Sequence, residues 1–110
     1  MNLPNGDQAI IDGRKIRDYC LSPNHEDGQH KARLFRTMLG LTIDDAHFLI
    51  AALRRAAAAG QASVGQRDKY GQRYVIDFEF AGPSGTATIR SAWIVGPDDT
   101  LPRLVTCYIL

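Results

Sequence analysis

The spacing of apolar residues along the chain changes at Gly60. Before this glycine, apolar residues recur every three or four positions, a period typical of amphipathic helices. After it, apolar residues alternate with polar ones, which is typical of strands with one buried face. The pattern therefore predicts helices in the first half of the chain and an antiparallel sheet in the second half.

Three helices are predicted before the change of period. Asp12 can cap a short first helix through its carboxylate. A second helix is expected from about Gln29 to Leu39, with Gly40 as a left-handed C-cap. A third begins after Thr42, which with Asp45 resembles a capping box. The residues expected on the buried faces are Ile16, Tyr19, Cys20, Leu34, Phe35, Met38, Leu39, Ala46, Leu49, Ile50, Leu53 and Ala57.

Three or four strands are predicted after the helices. They cover 73–80, 87–95 and 102–110, with a weaker strand at 62–67. Glycine- and proline-rich turns at 82–85 and 96–99 separate the three stronger strands. The expected fold class is α+β, with two or three N-terminal helices packed on one face of a three- to four-stranded antiparallel β-meander. A single domain over residues 1–110 is expected, with 1–11 as an N-terminal arm that contains a short strand at 9–11.

The first hairpin predicts a register for the sheet. A tight turn centred between Pro83 and Ser84 places Asp77 opposite Arg90. The same register pairs Phe78 with Ile89 and Tyr74 with Trp93. Ser91 then points into the core, where it has no histidine partner, so a serine triad is not expected.

The second hairpin is expected to bring hydroxyl groups beside Arg90. The pairs predicted from a turn centred on Asp98 are Arg90 with Thr106, Thr88 with Tyr108, and Ile89 with Cys107. Arg90 becomes a candidate anion-binding residue, with Asp77, Thr106 and Tyr108 as candidate substrate-binding residues, because a guanidinium matches phosphate oxygens and hydroxyls add donors. The alternatives are an ordinary Asp–Arg pair on a solvated face and a buried structural role.

The stretch from Tyr19 to Phe35 carries the clearest candidate chemistry. His25 and His30 lie in and after a turn rich in Pro, Asn and Gly, and imidazole titrates near neutral pH. Lys31 follows His30 near a predicted helix N-terminus, where backbone N–H groups attract anions. His25, His30, Lys31 and Arg90 are therefore the candidate catalytic residues. The alternative is that both histidines are simply solvated.

Composition and known motifs restrict the functional classes. The 110 residues include 13 basic and 12 acidic side chains, for a net charge of +1. Nucleic-acid-binding domains often have a strong basic excess, so this balance counts mildly against one, although a local basic pocket remains compatible with it. Walker, dinucleotide-binding, HExxH and GxSxG motifs are lacking, and no metal or cofactor is expected.

The sequence also predicts a location. No apolar run approaches the roughly 20 residues that cross a bilayer, and no secretory signal precedes the domain, so a cytoplasmic protein with no membrane association is expected. Cys20 and Cys107 are accordingly expected to be reduced, buried packing residues.

Three stretches carry a resemblance to a known family. They are Tyr19-x-Leu21-x-Pro23-x-His25-x-x-Gly28-x-x-Lys31-Ala32-x-x-Phe35, Arg90-x-x-Trp93-Ile94, and Pro102-Arg103-Leu104-Val105-Thr106-x-Tyr108. Together they resemble an uncharacterised bacterial domain over nearly the whole chain from Asp12 onward. The predicted layout is similar to the barnase–EndoU–colicin–RelE group of ribonuclease toxins. The resemblance implies that His25, Lys31, Arg90, Thr106 and Tyr108 are the functional candidates, with His30 outside the motif.

This resemblance implies a toxin-like, metal-independent endoribonuclease that needs no cofactor. RNA would be the substrate, a small cognate antitoxin protein would be the partner, and a homo-oligomer is compatible with this function. In this hypothesis a histidine transfers protons, while Lys31 and Arg90 stabilise charge on the phosphate. The alternative is a non-enzymatic, protein-binding partner of antitoxin or immunity type in a two-component bacterial system. An enzyme acting on a nucleotide or an NAD-like metabolite fits the same residues.

Overall fold

A computed structural model describes residues 1–26 and 28–110 and confirms the predicted α+β fold. Helix α1 (Gly13–Lys15) continues as a π-helical turn (Ile16–Cys20), and α2 (Gln29–Leu34) continues as a second π-helical turn (Phe35–Leu39). A 3₁₀ turn (Ile43–Asp45) leads into α3 (Ala46–Ala59). The strands are β1 (Ala62–Asp68), β2 (Gly71–Gly82), β3 (Gly85–Val95) and β4 (Arg103–Ile109). They form one antiparallel sheet in the order β1-β2-β3-β4.

The helix boundaries follow the predicted capping residues. The Asp12 side chain accepts a hydrogen bond from the Arg14 backbone N–H, and Thr42 and Asp45 form the capping box. Gly40 closes the second helix with a φ of 73°, the left-handed conformation that glycine adopts without a steric penalty. The longest helix, α3, has 14 residues. In the described parts of the chain, no helix combines the length and the apolar character needed to cross a bilayer.

The predicted buried face of the second helix was partly wrong. Phe35 and Leu39 are buried as expected, whereas Leu34 and Met38 remain 43% and 41% exposed. The third buried position is Ala32, which lies three residues before Phe35. Positions three and four apart share a helical face. With Ala32, Phe35 and Leu39 on the buried face, Leu34 and Met38 lie at its edges.

The register of the first hairpin is confirmed, and that of the second is wrong by two residues. Asp77 pairs with Arg90, as predicted from the tight turn. On the next strand, however, Arg90 pairs with Tyr108 and Ala92 with Thr106. The loop before β4 pairs Ile94 with Arg103, which accounts for one residue of the shift. A β-bulge opposite the step from Ala92 to Trp93 of β3 accounts for the second residue. A shift of two preserves the faces of a strand, so Thr106 and Tyr108 still lie on the face away from the core.

The core face of the sheet packs against the helices around Trp93, which is fully buried. The Trp93 indole N–H donates to Ser91 Oγ at 2.9 Å, and Ser91 Oγ donates to the Ile76 carbonyl at 2.8 Å. In residues 1–26 and 28–110, no buried side-chain nitrogen or oxygen lacks a hydrogen-bond partner. Ser91 therefore has a structural role, because it satisfies the one polar group of the indole.

The first eleven residues pack against both halves of the molecule. Leu3 and Ala9 are buried in the core, and Gly6–Gln8 forms a 3₁₀ turn. The strand expected at 9–11 is a single parallel bridge, in which Ile10 pairs with Arg103. The Ile10 N–H donates to the Pro102 carbonyl at 2.8 Å, so this segment fixes the start of β4.

Candidate functional site

Lys31 is the centre of a cluster of aromatic and hydroxyl side chains. Its ammonium group donates a hydrogen bond to Thr106 Oγ1 at 3.1 Å. The same nitrogen lies 5.1 Å from the ring centroid of Tyr19 and 5.4 Å from that of Tyr108, distances typical of cation–π contacts. We call Tyr19, Lys31, Thr106 and Tyr108 the lysine cluster.

Three elements bring the lysine cluster together. The π-helical turn after α1 carries Tyr19, α2 carries Lys31, and β4 carries the other two residues. Thr106 and Tyr108 are two positions apart, so both point away from the core. Because β4 is an edge strand, a long lysine side chain from the helical layer can reach past this edge to Thr106.

Gly28 permits the close approach of the loop before α2 to the helix that carries Tyr19. A Cβ atom at Gly28 would collide with the Tyr19 carbonyl oxygen. The Gly28 carbonyl accepts the Ala32 N–H at 3.0 Å and so forms part of the first turn of α2. This glycine therefore sets the distance between Tyr19 and Lys31.

The lysine cluster borders a pocket of about 400 Å³. Its lining residues are Lys15, Tyr19, Cys20, Lys31, Val105 and Thr106. Two of these are lysines and none is acidic. In the described chain, neither lysine has a carboxylate oxygen within 4.0 Å, and the Lys15 ammonium donates instead to the Leu104 carbonyl at 3.2 Å. The charge of the pocket is thus positive, which favours an anionic ligand such as a phosphate.

Arg90 is bound to a carboxylate on the open face of the sheet. Its Nε and Nη2 atoms each donate to one Asp77 oxygen at 2.8 Å. This bidentate contact holds the pKa of Asp77 below its usual value and raises that of Arg90, with a further contribution from the Tyr108 hydroxyl. Asp77 therefore neutralises the guanidinium, and an anion would have to bind to the remaining Nη1 or compete with the carboxylate.

His25 contacts the other end of the lysine cluster. Its ring lies 4.6 Å from the Tyr19 ring in an edge-to-face arrangement, with an interplanar angle of 70°. The Gly28 N–H donates to His25 Nδ1 at 3.1 Å, so the neutral imidazole carries its proton on Nε2. A continuous series of contacts thus runs from His25 through Tyr19, Lys31 and Tyr108 to Arg90.

His30 lies elsewhere, on the exposed surface of α2. Its nearest polar neighbour is Arg33, whose Nη2 is 3.4 Å from His30 Nδ1. Within residues 1–26 and 28–110, no hydrogen bond or ring contact joins His30 to the lysine cluster. The structure therefore brings six of the seven predicted site residues into one connected region, namely His25, Lys31, Asp77, Arg90, Thr106 and Tyr108.

Three residues of this region were not predicted from the sequence, namely Lys15, Tyr19 and Cys20. Lys15 and Tyr19 are four residues apart, a helical spacing that could have placed them on one face. Tyr19 was assigned to the buried face, but it is only partly buried. No local signal could have indicated Cys20, because its importance depends on a residue far along the chain.

Cys20 and Cys107 are free and buried, as expected, and they are also adjacent. Their sulfur atoms lie 3.9 Å apart, and Cys20 Sγ is 3.8 Å from the Cys107 carbonyl oxygen. A hydrogen bond from the Cys107 thiol and the nearby charge of Lys31 lower the pKa of Cys20 to about 7, against the opposing effect of burial. The same sulfur–sulfur contact, together with burial, raises the pKa of Cys107.

The described residues contain no group of three or more His, Cys, Asp or Glu side chains placed to hold a metal ion. The site that the described residues form is a cationic pocket with a hydroxyl donor and an aromatic wall.

Comparisons with known proteins support the predicted resemblance in part. Residues 2–110 match a family described as a domain of unknown function, DUF6883, which confirms the expectation of an uncharacterised domain. No curated protein matches the chain significantly. A solved chain from a contact-dependent growth inhibition toxin–immunity protein complex of Klebsiella pneumoniae 342 has a similar fold, with a TM-score of 0.69 and 22% identity. The match covers 92% of this chain and 99% of that one. The specific ribonuclease group remains a prediction.

Proposed function

The chain belongs to the DUF6883 family of domains of unknown function, and from the geometry of its pocket we propose that it is a toxin-type, metal-independent endoribonuclease. One observation carries the proposal. Two ammonium groups that lack a carboxylate partner in the described chain meet at a pocket with the Thr106 hydroxyl and a tyrosine ring. This combination provides positive charge for a phosphodiester and an aromatic surface for a neighbouring base.

The proposed reaction is an intramolecular transesterification of RNA. The ribose 2′-oxygen attacks the adjacent phosphorus, the bond to the 5′-oxygen breaks, and the products are a 2′,3′-cyclic phosphate and a 5′-hydroxyl. Negative charge develops on the phosphoryl oxygens during the attack. Lys31 stabilises this charge, and the hydroxyls of Thr106 and Tyr108 orient the phosphate.

His25 is the proposed proton-transfer residue. In the proposed step His25 accepts the 2′-hydroxyl proton during the attack and then, as the imidazolium, donates a proton to the departing 5′-oxygen, so that no net proton is gained or lost. The ring contact with Tyr19 places the imidazole beside the lysine cluster. His30 is the weaker candidate because its polar contact is to Arg33 on the helix surface.

Arg90 has a different role in this proposal from that of Lys31. Its guanidinium is bound to Asp77, so it supplies little free charge. It lies directly opposite Tyr108 in the sheet, and the phenol contributes to the raised pKa of the guanidinium. We assign the Asp77–Arg90 pair to the positioning of Tyr108.

The test is cleavage of RNA by the purified protein in the presence of EDTA. We expect fragments that end in a 2′,3′-cyclic phosphate, and we expect no cleavage when the attacking 2′-hydroxyl is replaced by hydrogen. The Lys31→Ala variant, purified in parallel, controls for contaminating nucleases. Survival of full-length tRNA and mRNA in the presence of stoichiometric protein would rule out the proposal.

A second candidate is a protein-binding partner of immunity type. The net charge of +1 favours it over a nucleic-acid enzyme, and the Klebsiella complex contains both a toxin and an immunity protein, so the shared fold fits either role. Expression of the chain alone in bacteria separates the two functions. A toxin arrests growth, whereas an immunity protein leaves growth unchanged and protects against a toxin that it binds.

A further inference from the structure

Cys20 and Cys107 form a second site with its own chemistry. We propose that these two thiols are oxidised by hydrogen peroxide to a reversible disulfide that links α1 and its π-helical extension to β4. This inference does not depend on the ribonuclease proposal, because it concerns the covalent state of the protein and not its substrate.

The two sulfur atoms are in van der Waals contact. The sulfur atoms are 3.9 Å apart, whereas a disulfide requires about 2.05 Å. A movement of about 1 Å by each sulfur, through rotation of χ1, closes this gap. Both side chains are buried, and the two sulfurs are in direct contact with each other. No other described cysteine competes for either thiol.

The surroundings indicate which sulfur reacts first. Cys20 lines the pocket beside Lys31 and Cys107 does not, so an oxidant that enters this pocket meets Cys20 first. Lys31 and the Cys107 thiol stabilise the Cys20 thiolate, which is the nucleophilic form. Cys107 lies on the core face of β4, and the Cys20 sulfur and burial both disfavour its ionisation. Cys20 is thus the peroxide-reactive thiol and Cys107 the resolving thiol.

The reaction balances in two steps. The Cys20 thiolate attacks one oxygen of hydrogen peroxide, the O–O bond breaks, and the released hydroxide takes up a proton to become water. The Cys107 sulfur then attacks the resulting sulfenic sulfur, loses its proton and displaces a second water molecule. Overall, two thiols and one peroxide give one disulfide and two waters, and a dithiol reductant reverses the change.

The disulfide is expected to restrict the movement of residues in the lysine cluster. Tyr19 precedes Cys20, and Thr106 and Tyr108 flank Cys107, so three of the four cluster residues are adjacent in sequence to a bridged cysteine. The two cysteines are 87 positions apart, and a link across so long a segment removes much conformational freedom from the unfolded chain. Oxidation therefore fixes the helix against the strand at the pocket.

The test treats the reduced, full-length protein with hydrogen peroxide. The protein is then unfolded and alkylated with iodoacetamide, and the intact mass is measured. We expect a monomer that has lost two hydrogen atoms, carries no alkyl group and regains both thiols with dithiothreitol. We also expect the unfolding temperature to rise by about 10 °C or more on oxidation.

The single-cysteine variants identify the order of the steps. In Cys107→Ser, Cys20 should gain one oxygen atom as a sulfenic acid that a dimedone probe labels. In Cys20→Ser, Cys107 should remain alkylatable after the same treatment. The wild-type mass measurement stands even if neither variant folds. Two alkylatable thiols after peroxide treatment, or added oxygen without a bridge in the wild type, would refute the inference.

Discussion

The sheet carries two polar clusters that differ in how many of their hydrogen-bonding groups have a partner within the described chain. On the core face, the Trp93 indole, the Ser91 hydroxyl and the Ile76 carbonyl form a closed series of hydrogen bonds that is fully buried. At the edge of the same sheet, the Lys31 ammonium has three donors and, within residues 1–26 and 28–110, makes one hydrogen bond, to Thr106. The same ammonium group also contacts the rings of Tyr19 and Tyr108.

The difference separates a structural polar group from a reactive one. The Ser91 hydroxyl accepts a hydrogen bond from the Trp93 indole and donates one to the Ile76 carbonyl. Lys31 retains donor capacity beside a pocket that contains a second lysine and no acidic lining residue. Lys31 can therefore bind a partner of opposite charge, whereas Ser91 cannot. Substitutions at the two sites should accordingly have opposite consequences for activity and stability.

Lys31→Ala should give the largest effect and should act on activity. We expect RNA cleavage to fall by about 100-fold or more, because a charge that stabilises the phosphate in the transition state is lost. The unfolding temperature should change by only a few degrees, since the hydrogen bond from Lys31 to Thr106 is only partly buried. Initial rates with excess substrate and thermal melts measure the two quantities.

Lys69→Ala is the matched control for Lys31→Ala. Lys69 also lies over a tyrosine ring, at 5.2 Å from the Tyr70 centroid, but on the turn between β1 and β2. Its removal should leave cleavage unchanged. An equal loss of activity in both variants would show that overall charge, and not the lysine cluster, determines the rate.

Gly28→Ala should reduce both stability and activity, and it tests whether the position of Lys31 matters. A methyl group collides with the backbone of Tyr19, so the loop must move at a cost of about 2–3 kcal/mol in the free energy of unfolding. The ring of Tyr19 and the ammonium of Lys31 should then separate. Urea denaturation and cleavage assays measure the effects.

Gly13→Ala provides the comparison for this glycine substitution. An added Cβ at Gly13 meets only the flexible end of the Arg17 side chain, and alanine favours the helix. Its stability should equal or exceed that of the wild type. If Gly28→Ala were as stable as Gly13→Ala, the close approach to Tyr19 would not constrain the loop.

Ser91→Ala should act on stability alone. Removal of the hydroxyl leaves the buried Trp93 N–H without its acceptor, which costs about 1–2 kcal/mol. The lysine cluster is not touched, so the cleavage rate of the folded protein should be retained. Ser63→Ala, on the exposed part of β1, should change neither property. Loss of activity in folded Ser91→Ala protein would contradict the division between the two clusters.

Asp77→Asn should give the smallest effect, and that effect should depend on pH. The pKa of Asp77 is lower in the folded state than in the unfolded chain, so its ion pair stabilises the fold above the unfolded pKa of about 4. This stabilisation is lost as the pH falls through the folded pKa. The wild type should therefore melt a few degrees above Asp77→Asn at pH 7, and the gap should narrow as the pH falls below about 4. Asp98→Asn, in an exposed turn, should melt with the wild type at both values.

Local signals were sufficient to predict most of the fold. The capping residues Asp12, Thr42 and Gly40 act through neighbouring backbone groups, so their roles could be inferred from the sequence. The register of the first hairpin could be inferred for the same reason, because a tight turn determines the pairing of both strands.

Long-range contacts explain what the sequence did not predict. The register of β4 depends on the Ile10–Arg103 bridge and on a β-bulge, and neither leaves a mark in a pattern with a period of two. The site shows the same division. The residue types of the candidate site could be recognised in the sequence. The contact of Cys20 with Cys107 and the separation of His30 from the lysine cluster depend on how α1, α2 and β4 pack.

The dependence of the pocket on β4 also sets the time at which it can appear during synthesis. Thr106 lies 75 positions after Lys31, and its strand is the last of the four to leave the ribosome. A nascent chain that carries only the helices and β1 to β3 has the lysine but lacks the strand that orients it. Any activity of this pocket is thus withheld from the growing polypeptide until nearly all of the domain has been translated.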